Sequence, residues 1–489
     1  MLAVFVAGCA TLGPPPASSK EARAVWLSRF DYCGVSPTHD PDSIQAYITQ
    51  VVRQAARANF NILFFQVRGS GDAYYQPGLE PWGSLLTGTL GADPGWDPLQ
   101  FAIEAAQAHG LELHAWVNVY PAWKGTKPPG LAIPPAPLAA HPEWVVADST
   151  GRPVALSDGY TTFSPGIPQV QEHILAVLED IAARYDVDGI HLDYVRYPDW
   201  ALAKGLSRDS LSLARFHSAA GNPYSLDWDD WQREQVTLLI ARLYNGVTAI
   251  DSSIKLSAAV IGSYHQSGWN AYNQVYQDPR RWSELGKIDF ITPMIYWPRN
   301  HRTQPFMVRS REWRERYTIG RPVFPGIGSY RYNQEDGDLT WSEALGQIDD
   351  LRRENFPGLA FFDARSLEHH WAQLATGRFR SPANIPAMAW KDPQAPDPPS
   401  ALLLTALGRS EALTWVAPKA EDVARFNVYF SENKPIDRSR GQNLVHVTAG
   451  PRLEWVIEPH KLPSQGYLAV SALDAAWNES ALSRPIQWP

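Results

Sequence analysis

The sequence predicts a (β/α)8 barrel followed by a small all-β domain. Eight short apolar runs alternate with helical patterns between residues 24 and 362, and this regular alternation is typical of a parallel sheet. After Arg380 the pattern changes to a Pro-rich stretch and then to short strands that alternate apolar and polar residues. Eight βα units with long segments after the strands favour a closed TIM barrel over an open sheet.

The predicted barrel strands are apolar, and the helices between them carry start signals. Asp97 and Pro98 combine an N-cap with proline at the first helical position, while Thr340 and Glu343 have the spacing of a capping box. Gly110 marks the end of the helix that begins after Asp97. The predicted strands are 24–27, 61–67, 111–117, 187–192, 255–261, 289–296, 322–327 and 358–362.

A chain of 489 residues is too long for one ordinary core, and changes in composition along the chain divide it into segments. We predict a signal remnant and tether over residues 1–20, the barrel over 21–381, a Pro-rich linker over 382–398 and a β sandwich over 399–489. About seven short strands in the last segment predict the sandwich. Its stretches 467–474 and 478–480 resemble fibronectin type III modules.

The overall composition excludes one class of function and suggests another. A formal net charge of -8 gives no electrostatic reason to expect nucleic-acid binding. The chain has 20 Trp, 20 Tyr and 17 Phe, which either fill a large core or present flat apolar faces to sugars. Its 2 cysteines do not make a disulfide framework.

The N-terminus has an apolar run that ends in Gly8 and Cys9. It resembles the lipobox of bacterial lipoproteins, in which the cysteine is lipidated, and residues 11–20 then form a Pro/Ser tether. The run is too short to span a membrane and lacks the basic start of a full signal peptide. The alternative is an N-terminus without a defined structure.

Polar and aromatic residues stand where the predicted strands end, which is where barrel enzymes place their active sites. The set has no Ser–His pair on a nucleophile elbow, no Gly-rich phosphate loop and no Cys/His zinc spacing, so we expect no cofactor and no metal. His191 and Asp193 share one strand face and could contribute to a metal site, but a third ligand is not evident. The strand-end residues are Arg29, Asp31, Arg68, Asp72, Tyr74, Trp116, Asn118, Tyr120, Asp193, Arg196, Tyr264, His265, Tyr296, Trp297 and Asp363.

Glycoside hydrolysis needs two carboxyl groups, and Asp193 is the best single candidate because it ends the fourth strand. Its alternative role is an ion pair with Arg196. Asp72 after strand two and Asp363 after strand eight are the candidate partners, and Asp31 and Asp158 are less favoured. No predicted strand ends in glutamate, which disfavours the barrel glycosidases with a glutamate pair.

The remaining strand-end residues are candidates for substrate binding. Aromatic residues there could be sugar platforms or rim packing. Three arginines in one mouth would favour an anionic or N-acetylated glycan. The predicted binding residues are Arg29, Arg68, Trp116, Asn118, Tyr120, His191, Arg196, Tyr264, Tyr296 and Trp297.

Five stretches carry a resemblance to one family: 23–26, 68–75, 114–116, 191–198 and 293–297. The chain resembles the glycosyl-hydrolase-like 10 proteins, formerly domain of unknown function 187, over roughly residues 21–373. Members tend to begin Arg-Gly-x-Trp, whereas this chain has Ala24 at the second position. The C-terminal fibronectin-like segment and the lipobox are also similar to members of that family.

The resemblance implies a (β/α)8 glycosidase of the bacterial envelope that acts on peptidoglycan strands stripped of peptides. It further implies a lipid anchor at Cys9, most simply on the periplasmic side of the outer membrane, and we expect a monomer. Asp193 matches the strand-four acid that related barrel glycosidases use as nucleophile or stabiliser. One alternative is a non-catalytic glycan-binding lipoprotein, marked by the absence of a carboxyl near Asp193. Another is a scaffold, marked by a sealed barrel mouth.

Overall fold

Eight parallel strands form one closed sheet in the computed structural model, which describes residues 15–199, 201–266, 268–332, 339–419 and 423–489. Neighbouring strands pair in sequence order, and β1 also pairs with β8. The Phe324 N–H donates to the Ile291 carbonyl (3.0 Å) and joins the sixth and seventh strands, so the ring closes. The predicted barrel is confirmed. Its strands are β1 Ala22–Leu27, β2 Ile62–Arg68, β3 Glu112–Asn118, β4 Gly189–Asp193, β5 Lys255–Ile261, β6 Phe290–Met294, β7 Gly326–Ile327 and β8 Gly358–Phe361.

A helix follows each barrel strand, and the helices pack their apolar faces on the outside of the sheet. The Asp97 carboxylate accepts the N–H groups of Leu99 and Gln100, which confirms the predicted N-cap. The predicted capping box at Thr340 is wrong, because Glu343 instead accepts two N–H groups of Arg299. The helices are α1 Pro41–Arg57, α2 Pro98–Ala108, α3 Pro168–Arg184, α4 Trp228–Ile250, α5 Pro279–Glu284, α6 Phe306–Glu315, α7 Trp341–Arg353 and α8 Trp371–Thr376.

The loops at the carboxyl ends of the strands carry further short elements. A hairpin of Pro121–Lys124 and Tyr160–Thr162 lies in the long insertion after β3. The described residues include no helix with the length and apolar character needed to cross a bilayer. The short helices are Arg29–Gly34, Pro137–Ala140, Ala201–Lys204, Ser210–Phe216 and Ala271–Gln274, with 3-10 turns at Ser84–Leu86, Pro142–Trp144, Ser329–Arg331, Arg365–Leu367 and Gly441–Asn443.

Large side chains fill the inside of the barrel. The Phe64 and His191 rings stack with centroids 3.8 Å apart, and the Trp26 ring lies 5.1 Å from Phe64. Phe290 and Phe324 pack together one layer closer to the amino ends of the strands. The interior is therefore a packed core, as in other barrels of this type, and a ligand can enter only the mouth.

Seven strands in two antiparallel sheets form the C-terminal domain within the described residues. One sheet has the order β9-β10-β13 and the other β12-β11-β14-β15. This second, all-β domain is confirmed, whereas its likeness to fibronectin type III modules stays a prediction. The strands are β9 Ser400–Leu407, β10 Ser410–Val416, β11 Arg425–Ser431, β12 Leu444–Val447, β13 Glu454–Ile457, β14 Gly466–Leu473 and β15 Ile486–Trp488.

The C-terminal domain closes the amino end of the barrel, which we call the base. Trp477, in the turn after β14, is buried in the same cluster as Phe290, and its indole N–H donates to Glu112 (2.6 Å). Lys255 donates to Glu112 as well (2.8 Å). The segment predicted as a linker, 382–398, also packs here: Met388 is buried in the barrel cluster.

Replacing Trp477 with alanine tests this closure. We expect Trp477→Ala to destabilise the protein by about 3–5 kcal/mol, the usual cost of deleting a buried large aromatic side chain. The measurement is the shift in the midpoint of thermal or urea unfolding. Tyr224→Ala is the control, because Tyr224 is 77% exposed. Equal midpoints for both variants would show that the contact at the base contributes nothing to stability.

Candidate active site

The fourth strand ends in a turn that fixes the position of Asp193. The Asp193 carbonyl accepts the N–H of Val119 (2.8 Å), which is the last sheet-like bond, and its Oδ1 accepts the N–H of Tyr194 (2.6 Å). Tyr194 has a φ of 49°, in the left-handed region, so the chain leaves the barrel abruptly. The carboxylate is held at the mouth by backbone groups.

Burial dominates the electrostatics of this carboxylate. Asp193 is 6% exposed, and burial raises its pKa to about 6, although the Arg196 cation, the Tyr194 N–H and the Trp116 indole each favour the charged form. Arg196 itself pairs with Asp199 (2.5 Å). Asp193 thus forms no direct ion pair with Arg196 among the described residues, and it can exchange a proton near neutral pH.

Aromatic rings surround Asp193. Tyr296 stacks on Phe362 (5.6 Å between centroids), and Trp116 meets the edge of Phe362 (6.4 Å). Burial first, then the charges of Asp193 and Asp363, raise the pKa of Tyr296 well above its ordinary value. The phenol therefore remains protonated and lies within electrostatic reach of both carboxylates.

Two further carboxylates, Asp31 and Asp363, lie where β1 and β8 end. Burial and the charge of Asp363 raise the pKa of Asp31 to about 6, against two hydrogen bonds from Ser28. Asp31 and Ser28 form a capping box at the start of the helix Arg29–Gly34. Asp363 accepts the N–H of Ser366 on Oδ1 (2.9 Å). Asp31 therefore keeps its proton up to near pH 6, with burial as the first cause.

Asp72, the other predicted partner, is committed to its own turn. Its Oδ1 accepts the N–H groups of Gly69 (3.2 Å) and Ser70 (2.7 Å), and its Oδ2 accepts the Tyr74 hydroxyl (3.2 Å). These bonds close the loop after β2. The structure therefore gives Asp72 a turn-forming role, which leaves Asp363 as the partner with the freer carboxylate.

Arg29 is a buried cation at the same mouth. It is 2% exposed, its Nη2 donates to the Tyr160 hydroxyl (3.1 Å), and it lies over the Phe30 ring at 4.2 Å. Its Nη1 has no hydrogen-bond partner among the described residues. A Cβ on Gly69 would come within 2.2 Å of the guanidinium, so Arg29 would have to shift if this position carried a side chain.

Tyr160 connects the two sides of the mouth. It accepts from Arg29 after β1, and its ring meets Tyr194 after β4 edge-on, with centroids 5.1 Å apart. It belongs to the hairpin of the long insertion. Sequence reasoning did not select Tyr160 or Tyr194, and the only signal was an aromatic residue in a loop too long to be a simple connection.

Several predicted binding residues lie below the mouth. Arg68 makes a bidentate ion pair with Glu80 (both 2.7 Å) and donates to the Val119 carbonyl, while His173 also contacts Glu80 (2.8 Å). All guanidinium nitrogens of Arg68 are thus used within the protein. His191 lies in the core against Phe64.

The amide of Asn118 is also occupied by protein groups. Its side chain accepts from Gln66 (3.2 Å) and donates to the Gly69 carbonyl (3.0 Å). Tyr120 is fully buried, and Tyr264 donates to Asp278 (2.6 Å). These side chains fix the strand ends that carry the mouth loops.

Trp297, Tyr296 and Arg196 lie at the mouth, together with Trp116. Trp297 and Tyr296 are half-buried, and the Arg196 guanidinium lies 4.6 Å from the centre of the Tyr194 ring. The mouth therefore combines carboxylates, two cations and aromatic faces, which is the chemistry that sugar recognition uses.

Comparison with known proteins assigns this chain to a family. The model of the family described as glycosyl hydrolase-like 10 matches residues 21–339. The chain belongs to the glycosyl hydrolase-like 10 family.

Relatives with names support this family membership. The chain is similar to Glycosyl hydrolase YngK of Bacillus subtilis, with 28% identity over 411 residues that cover 79% of this chain and 78% of YngK. It is 29% identical to Glycosyl hydrolase DigH of Escherichia coli over 347 residues, 65% of this chain and 76% of DigH. These two named relatives of this chain are therefore glycosyl hydrolases.

A solved structure shares the fold. The glycoside hydrolase domain of PgaB (BpsB) from Bordetella bronchiseptica superposes with a TM-score of 0.50 at 15% identity, covering 72% of this chain and 98% of that domain. At this identity the likeness concerns the fold alone.

The Cys9 prediction lies outside the described residues.

The raised pKa of Asp193 predicts a stability effect in this family member. Between about pH 4 and pH 6 the folded protein keeps a proton that the unfolded chain has released, so the buried charge lowers stability above pH 6. We expect Asp193→Asn to raise the free energy of unfolding by about 1–3 kcal/mol at neutral pH, with no gain below about pH 4. Chemical denaturation across this pH range measures it.

The control for this experiment is Asp42→Asn. Asp42 is exposed in the first turn of α1, so its replacement should change stability by less than about 0.5 kcal/mol at any pH. If Asp193→Asn behaves like the control, or is destabilised at neutral pH, Asp193 is not a desolvated charge.

Proposed function

We propose that this chain is a glycoside hydrolase that cleaves peptidoglycan glycan strands from which the peptides have been removed. The observation that supports this most is a buried carboxylate, Asp193, whose pKa lies near 6 at the centre of an aromatic barrel mouth. Functional carboxylates are commonly shifted in this way by burial. The family and its named relatives support the reaction class.

The proposed mechanism uses Asp193 and Asp363. Asp193 attacks the anomeric carbon or stabilises the charge that develops there, while the second carboxyl protonates the leaving oxygen. Asp363 suits the second role because it follows β8 at the same mouth, and its charge and that of Asp193 both act on Tyr296. Asp72 is less suitable, since its oxygens already accept hydrogen bonds in the turn.

The substrate class follows from the surroundings of these acids. Stacking rings such as Tyr296 and Phe362 suit the apolar faces of sugars. Arg29 has an unpartnered N–H within the described structure and suits the oxygen of an N-acetyl group or a carboxylate. A peptide-free peptidoglycan strand offers both groups, because its muramic acid residues then carry free lactyl carboxylates.

We place the protein in the bacterial envelope, anchored by a lipid on Cys9 and acting as a monomer. This part of the proposal rests on the apolar run before Cys9 and on the tether that follows it. Mass determination of the membrane-extracted protein, with and without Cys9→Ser, tests the anchor.

Removing one carboxyl at a time tests the mechanism. We expect Asp193→Asn and Asp363→Asn each to lower kcat by about 100-fold or more, because general acid–base groups contribute about 10²–10⁴ in rate, while binding of the glycan persists. The measurement is product release from peptide-free strands, with intact peptidoglycan in parallel, followed by separation of the products. Asp72→Asn, which keeps an acceptor oxygen for its turn, should retain most of the activity.

Two outcomes would overturn this assignment. Full activity of Asp193→Asn would remove it from the mechanism. Tight binding by the wild-type protein without any products from either substrate would favour a non-catalytic glycan-binding protein.

Tyr160 provides a test of the substrate subsite. Tyr160→Phe removes the hydroxyl that accepts from Arg29 and keeps the ring against Tyr194. We expect about a 2–10-fold rise in KM with little change in kcat, since one hydrogen bond is worth about 0.5–1.5 kcal/mol. Tyr224→Phe is the control, because that ring is exposed. An unchanged KM, or a loss confined to kcat, would contradict the proposal that Tyr160 forms a wall of the binding site.

A further inference from the structure

A recess runs along the base of the barrel, at the opposite end from Asp193. Two adjoining cavities of about 650 and 990 Å³ share Arg380, Ser381 and Gln442 in their linings. A third of about 680 Å³ continues along the C-terminal domain through Gln442 and Lys461. We call this continuous recess the basal groove. The barrel forms one wall, and the C-terminal domain and residues 15–20 form the other.

Cations from four separate segments converge on the basal groove. They are Lys20 in the tether, Arg57 at the end of α1, Arg380 after α8, and Arg440 and Lys461 in the C-terminal domain. All five are exposed. The chain as a whole has a formal net charge of -8, so this accumulation of positive charge is local. Such a recess attracts anions.

Most of these cations are not neutralised by the protein. Arg440 pairs with Asp437 (3.3 Å), whereas Lys20, Arg57, Arg380 and Lys461 take part in none of the ion pairs among the described residues. Four acids also line the groove, but Glu21 is paired with Arg23 and Arg352 and Asp437 with Arg440, which leaves Glu458 and Glu432. The cationic groups therefore exceed the acidic ones and remain available to a ligand.

The groove also has an aromatic and apolar side. His446 stacks on Trp455 with centroids 5.0 Å apart, and Leu444 and Leu462 lie beside them. Burial and the nearby Lys461 lower the pKa of His446 to about 4, so the ring is neutral at physiological pH. A concave site with both cations and rings fits a polymer strand better than the flat surface of a membrane.

We propose that the basal groove is a second binding site, which holds an anionic glycan strand through the carboxylates that the strand carries. The identity of this ligand rests on the function proposed above. Peptide-free strands present a free carboxylate on every muramic acid, whereas in intact peptidoglycan the stem peptide blocks that group. The groove would thus hold one section of a strand while another section of the same strand lies in the mouth.

The two sites are independent for short ligands. The barrel strands separate base and mouth by roughly 20 Å, since a strand rises about 3.3 Å per residue. A fragment of two or four sugars in the mouth cannot reach the groove across the outside of the barrel. Only a long strand can occupy both sites.

Charge reversal in the full-length chain tests the site. The groove variant is Arg380→Glu/Lys461→Glu. Its control is Arg316→Glu/Arg409→Glu, which reverses two exposed cations that line none of the three cavities. Both pairs are placed in the Asp193→Asn background, and binding of labelled peptide-free strands is followed by fluorescence anisotropy. We expect roughly tenfold weaker binding for the groove pair only, with the difference shrinking at high salt. Binding of a neutral chitin strand should not change.

Three results would overturn the proposal. The groove pair could bind as tightly as the control pair, or it could lose the neutral strand equally, which would indicate a structural defect. It could also lose binding to anionic lipid vesicles while keeping the glycan, which would make the groove a membrane contact.

The failure of this inference can be told apart from the failure of the proposed function. In the chain with Asp193 intact, the groove pair should cleave a short soluble fragment at the wild-type rate. If the wild-type protein cleaves no glycan yet binds strands through the groove, only the proposed function falls. If it cleaves long strands equally well with either pair and binds them equally, only the groove falls.

Discussion

The buried carboxylate of Glu112 is the interaction on which the two domains depend. It lies at the base of the barrel and receives hydrogen bonds from Lys255, His114 and the indole of Trp477. Burial alone would raise its pKa, but Lys255 and His114 hold that pKa well below the ordinary value. A buried charge is tolerated only when its partners are complete, and one of the three partners here belongs to the C-terminal domain. The domain is therefore part of the barrel's lower wall, not a spacer.

The mouth has the opposite character. Tyr296 Oη and Arg29 Nη1 are buried polar atoms without a partner among the described groups. Asp193 also carries a carboxylate that burial destabilises. Such groups lower stability, and proteins usually keep them where a ligand completes the bonding. At the base, by contrast, both carboxylate oxygens of Glu112 have partners.

The barrel and the position of Asp193 could be predicted because they depend on local pattern. Eight apolar runs and their helix starts define the order of the strands, and the polar end of the fourth run places Asp193 at the mouth. The role of Arg68 could not be predicted, because its partner Glu80 comes from a loop whose path depends on tertiary packing. The same holds for Tyr160 and for Trp477, which meets Glu112 from 365 residues away. The capping box at Thr340 failed because Glu343 finds a stronger, charged partner in Arg299.

The difference between the acids at the mouth decides how they can divide the chemistry. Burial is the first cause of the raised pKa of Asp193, and the charge of Asp199 adds to it. Burial raises the pKa of Asp31 to about 6 as well, and the charge of Asp363 adds to this effect. Hydrogen bonds from Ser28 act in the opposite direction and favour the ionised form of Asp31. Acid and nucleophile roles require carboxyl groups in different environments, and a buried Asp193 and a half-buried Asp363 meet this condition. This difference in burial between Asp193 and Asp363 is what would let the two groups take different parts in the proposed reaction.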